Sequence, residues 1–183
     1  MTEKPINRRV LSQEQERVQK LYLEVTKKYS NKKHDELLAE YNKKMHKMKL
    51  DSLEIVKRNC EDYKWFEENA NLSYNEKTGH TTVENIPTEL QEEGKARMKE
   101  LALCTKLNCF EQNELLEKIK EINKTIIQNY TQCLQKCGVN ITDTKSDNEI
   151  KECFEMCITN MDEDNFKKFD FVDKQIEDIT RRI

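Results

Sequence analysis

Cys133-Leu134-Gln135-Lys136-Cys137 and, after an interval of 15 residues, Cys153-Phe154-Glu155-Met156-Cys157 are the stretches that decide the fold. Residues four apart lie on one face of an α-helix, about one turn from each other, so each C-x3-C motif sets two thiols in a column. The flanking sequence is built for helices. Leu115, Ile119, Ile122, Ile126 and Tyr130 lead into the first motif at the spacing of an amphipathic helix. Ile150, Phe154, Ile158 and Met161, then Phe166, Phe169, Val172, Ile176, Ile179 and Ile183, carry the period along a return helix, with an irregularity expected at Asp162 to Asp164. Between them Gly138 is placed to follow a helix C-terminus, Val139 to Lys145 form a polar connection, and Ser146-Asp147-Asn148-Glu149 reads as a capping box.

Helices joined in this way form an antiparallel hairpin, in which facing residues have indices of constant sum. The outer cysteines, 133 and 157, have the same sum as the inner ones, 137 and 153, so one register aligns both pairs. Four cysteines allow three connectivities and sequence alone does not select one; the register favours Cys137–Cys153 inside and Cys133–Cys157 outside. The outer bond would close a loop of about 25 residues and contribute on the order of 3 kcal/mol in the chain-entropy account. Isolated cysteines usually serve as small buried hydrophobes, and Cys60 is read that way. Cys104 and Cys109 are too widely spaced to share a helix face, and their pairing stays open. Four thiolates could instead complete a zinc shell, although structural zinc more often uses C-x2-C knuckles. No metal or cofactor is expected, and oxidised pairs imply an oxidising compartment.

The rest of the chain agrees with an all-α class. Charged residues make up 37% of its 183 residues and hydrophobic ones 36%, with only three glycines and two prolines. Such a composition suits apolar stripes on long helices and leaves little material for tight turns. A first helix is expected from the capping box at Ser12-Gln13-Glu14-Gln15 through Val18, Leu21, Tyr22, Val25 and Tyr29 to about Ser30, with Asn31 at its end. A long second helix follows, with Leu37, Leu38, Tyr41, Met45, Met48, Ile55, Val56, Cys60 and Tyr63 in period as far as Trp65 and Phe66. Asn71 to Pro87 reads as the one substantial loop, and Thr88-Glu89-Leu90-Gln91 as the capping box of a helix running toward Cys104. The expected organisation is therefore an N-terminal long-helix extension (1–70), a loop (71–87), a connecting helix (88–110) and a C-terminal hairpin (111–183).

Several function classes find no support. No stretch approaches the roughly 20 apolar residues of a spanning helix. His34, His46 and His80 are far apart, without metal-ligand spacing, and read as surface residues; no nucleotide-binding or nucleophile-elbow motif occurs, so no catalytic residue is assigned. Net charge is −3, but Lys27, Lys28, Lys32, Lys33, Lys43, Lys44, Lys47 and Lys49 face only Asp35, Glu36 and Glu40, while the chain from Asp147 is acidic. Interleaved with Tyr, Leu and Met at helical spacing, those lysines read as a solvated helix face rather than a nucleic-acid or lipid contact. Sequons at Asn71, Asn123, Asn129 and Asn140 are read as accidents of an Asn-rich chain. The N-terminus has no apolar h-region, so neither a secretory signal nor a mitochondrial presequence is expected.

Twin C-x3-C motifs around a short connection, with Ser146 and Glu149 leading into Cys153 and long amphipathic helices on either side, resemble the small Tim proteins of the mitochondrial intermembrane space. The resemblance covers Glu111 to Ile183. It implies inner and outer cysteine pairs, import by oxidative trapping without a presequence, and hairpins assembled with related chains into a six-bladed ring. The family holds hydrophobic membrane-protein precursors in transit, without ATP or an active site. About 110 further residues at the N-terminus suit a chain fixed into a larger assembly. The expectation is thus an accessory structural subunit of a large inner-membrane complex, with a respiratory complex as candidate, in contact with the membrane only through its partners. The alternative is a chaperone that shields clients on the face formed by Leu115, Ile119, Ile122, Ile126 and Tyr130.

Overall fold

The computed structural model describes residues 5–75, 80–138 and 145–182, with side chains from residue 13 onward. It is an all-α protein with a stapled hairpin: α1 (Pro5–Lys28), α2 (Lys32–Asn59), α3 (Glu61–Asn69), α4 (Gln91–Asn108), α5 (Phe110–Gly138) and α6 (Asp147–Arg182), interrupted by one small hairpin of β1 (Asn71–Asn75) and β2 (His80–Glu84). The chain divides into two compact units, Met1–Leu37 with Lys120–Asp170 and Leu38–Ile119 with Phe171–Ile183. The hairpin 111–183 is therefore not a unit by itself. Its two helices each supply residues to both units, and each unit completes its core with helices from the N-terminal part.

Three helix boundaries differ from the sequence reading, each for a physical reason. First, α1 starts at Pro5, a residue whose fixed φ suits a first helical turn, so Ser12 lies inside the helix rather than at its start. Second, the long second helix breaks at Cys60, whose extended backbone separates α2 from α3. Charge marks this break: Lys57 and Arg58 sit in the last turn of α2 and Glu61 and Asp62 in the first turn of α3, each matched to its helix end. Third, Thr88 belongs to a 3-10 turn, Thr88–Leu90, and makes no side-chain cap for α4. Asn31, read as the end of α1, instead caps α2, its Oδ1 accepting the His34 N–H at 3.0 Å. α6 runs without interruption through Asp162–Asp164.

The segment read as a loop contains the β-hairpin. Leu72 pairs with Val83 and Tyr74 with Thr81, and these four are its less exposed residues, a period-two pattern short enough to escape a search for helical spacing. Asn85, just beyond β2, has φ of 60°, a left-handed conformation that asparagine tolerates.

Within the second unit one core joins Met45 and Met48 of α2, Leu115 and Ile119 of α5, and Val172 and Ile179 of α6. Another gathers Ile55, Val56, Cys60, Tyr63 and Cys109. A disulfide between Cys60 and Cys104, 44 residues apart, crosses that second core. Cys60 is thus buried as expected, but as half of a bond rather than as a free hydrophobe. Cys109 stays free and buried, its Sγ donating weakly to the Ser52 carbonyl at 3.6 Å, and burial raises its thiol pKa.

Candidate functional site: a stapled three-helix seam

The first unit is built around the four cysteines. Ser146 opens α6, its Oγ accepting the Glu149 N–H and donating to Glu149 Oε1, both at 3.3 Å, which fixes where the return helix begins. From that start the α6 cysteines meet those of α5 in the anticipated register: Cys133 bonds Cys157 and Cys137 bonds Cys153, each with Cα atoms 5.7 Å apart. The bridges stack, with Cys137 Sγ 3.6 Å from Cys157 Sγ. Cys137 and Cys157 are buried while Cys133 and Cys153 lie at the edge of the core, so one sulfur of each bridge is sheltered from attacking thiols.

The seam between the stapled helices is filled by α1. Leu21 and Val25 pack with Cys137, Ile150, Phe154, Cys157 and Ile158, and Val18, Tyr22 and Tyr29 close its margin. The Tyr22 ring meets Phe154 edge-on at 5.3 Å, and its hydroxyl shares a 2.7 Å hydrogen bond with that of Tyr130. Burial, reinforced by that bond, raises the Tyr130 phenol pKa well above its ordinary value. Gly138, expected beyond the helix, is its last residue. A Cβ there would stand 2.9 Å from Val18 Cγ1, so close approach of α1 is what requires glycine.

Polar contacts hold α1 at both ends of the seam. Arg17 bonds Asp147 Oδ1 at 2.6 Å and the Lys145 carbonyl at 3.1 Å, and Lys151 pairs with Glu24 at 2.8 Å. At the other end Asp162 is 4% exposed, a burial that a carboxylate sustains only with hydrogen-bond donors. Tyr29 donates its hydroxyl to Asp162 Oδ2, and Asn31 Nδ2 donates to the same oxygen at 3.1 Å. His34 Nε2 lies 3.7 Å from Asp162 Oδ1, and its ring packs against Phe166 and Phe169. His34 is therefore largely buried, unlike His46 and His80, because the turn after α1 folds it onto α6. This cluster ties that turn to α6.

Three of the five residues assigned to a partner face are buried within the chain. Leu115 and Ile119 are buried in the core of the second unit, Ile126 is buried in the first, and Ile122 and Tyr130 are half-buried. Their period is that of a core stripe, and a search by periodicity does not separate a face that meets a partner from one that meets the chain's own helices. The Sγ atoms of Cys133, Cys137 and Cys157 fall within 4.8 Å of one another, close enough for a reduced quartet to offer a soft metal a site; as disulfides they present no thiolate. The connection Val139 to Lys145 lies, except for Lys145, outside the described residues.

Fold and staple together define the class: an all-helical protein whose antiparallel hairpin is locked by paired cysteines. Comparison with known protein families, curated proteins and solved structures finds no match to this chain.

Proposed function

We propose that this is a non-catalytic structural protein of the mitochondrial intermembrane space, small-Tim-like in its stapled hairpin, which serves as an accessory subunit of a large inner-membrane complex. The observation that carries the reading is that two C-x3-C motifs are bonded in a single hairpin register and that the seam beside them is filled by the chain's own α1. Paired cysteines fit an oxidising compartment. A filled seam, and the burial of Leu115, Ile119 and Ile126 that a chaperone would need open to solvent, favour architecture over transient client binding. Contacts with related hairpin chains and with complex subunits would then use the outer surface. Leu103 and Leu107, one turn apart on α4, and Phe110 at the start of α5, exposed at 61%, 75% and 58%, supply apolar area there.

The test is native size after extraction in mild detergent. Co-migration with a large membrane complex is expected, together with loss of the chain from that complex when Leu103 and Leu107 are changed to Lys. Migration as a soluble assembly of small chains would replace this reading by the chaperone, and a fully reduced chain in the cytosol would remove both.

A further inference from the structure

The second unit holds a cavity of about 490 Å³ bounded by α2, α4, α5 and the β-hairpin. The volume is in the range of small-molecule sites. Its body is apolar, formed by side chains that include Met48, Leu53, Val56, Leu101 and Leu116. Two features distinguish it from a simple packing defect. The Tyr74 hydroxyl, on a residue that lines the cavity, is buried and has no hydrogen-bond partner among the described residues, an arrangement folded proteins rarely leave unfilled. The charge of the lining is also one-sided. Aspartate and glutamate make up 35 of the 183 residues, yet among the described residues none of the 19 that line the cavity is acidic, while Lys49 and Lys106 are cationic. Neither lysine forms an ion pair among the described residues, and they are half-buried and exposed respectively, which puts positive charge toward the solvent side.

We propose that this cavity binds a free fatty acid. The acyl chain lies among the Met, Leu and Val side chains, and the carboxylate meets the lysines, whose ammonium groups, without an ion-pair partner among the described residues, attract it. The site lies in the second unit, which contains none of the four stapling cysteines, so the inference stands apart from the assembly role proposed above.

The experiment uses the oxidised 183-residue chain, with oleate titrated against a fluorescent fatty-acid analogue and methionine-methyl NMR to locate binding. Oleate should saturate one site and shift the methyls of Met48 and Met98, which line the cavity, but not that of Met156. A cationic amphiphile with the same chain should bind about tenfold or more weakly, and Lys49→Glu with Lys106→Glu should cost oleate a similar factor. Ala102→Trp, at an exposed lining position, should block binding while leaving the melting temperature near that of the parent. Four results would overturn the assignment: non-saturating uptake, equal affinity for both amphiphiles, shifts at Met156 instead, or tighter binding of a single-chain phosphate amphiphile than of oleate. If the lysine variant fails to fold, Ala102→Trp and the methyl map decide.

Discussion

The two units hold themselves together differently. In the first, two disulfides join consecutive helices over 24 and 16 residues, and one nests inside the other. In the second, a single disulfide spans 44 residues, crosses a core that also contains a free thiol, and borders elements too short to stand alone. Chain entropy favours the long closure individually, at about 4 kcal/mol against about 3 for each shorter loop. Nesting reduces the shorter pair further, because the outer bond closes only a small additional ring once the inner has formed. The stapled unit therefore gains redundancy and a fixed register, whereas the second unit depends on one bond placed where its helices break.

Removing all four stapling cysteines as serines should give the largest effect. About 5 kcal/mol would be lost, comparable to the whole stability of a small domain. Amide protection in the paired parts of α5 and α6 should fall to that of an open chain; retained protection would mean that packing around Phe154 suffices alone. Next, Cys60→Ser with Cys104→Ser should cost about 2–4 kcal/mol in urea unfolding, confined to the second unit. Equal loss of protection in both units would mean that they do not hold themselves together separately. In the parent protein, peptide mapping should find Cys109 alkylated only after unfolding.

Smaller changes probe the seam. Gly138→Ala gains up to about 1 kcal/mol in helix propensity but forces Val18 to move, an overpacking cost of about 1–3 kcal/mol, so a net loss near 1 kcal/mol is expected. In a Val18→Ala background the same substitution should become neutral or stabilising, as a double-mutant cycle would show. The least effect is electrostatic. Lys151, through its hydrogen bond, holds the Glu24 carboxyl below its ordinary value. That contribution is complete above the unfolded carboxyl's pKa, roughly 4.3, and disappears as pH falls through the lower folded value. The difference in melting temperature between parent and Glu24→Gln should accordingly shrink on acidification below that point and stay constant above it.

How much of this could be read from residues varied by unit for the same reason. The staple was legible because both partners of each bond lie on helices with a clear period and a working cap at Ser146. Ser12 and Thr88 carry the same cap pattern, but neither stands at the start of an α-helix. Arg8 to Leu11 already continue a helix begun at Pro5, and Pro87 leads Thr88 into a tighter turn. Cys60 and Cys104 share no period; the reversal from Lys57 and Arg58 to Glu61 and Asp62 was the available sign that the helix breaks there. The Asp162 cluster was hidden too, since an Asp on a charged helix resembles its exposed neighbours until Tyr29, Asn31 and His34 arrive from 128 to 133 positions away.

The disulfides also decide how the molecule bears load. Tension applied at the two ends would pass through the sulfur bridges at Cys60–Cys104 and Cys133–Cys157 and leave the 44- and 24-residue segments they enclose unstretched. At about 3.5 Å of extended length per residue, those segments withhold on the order of 200 Å of slack. Reduction would release that length to a chain under tension.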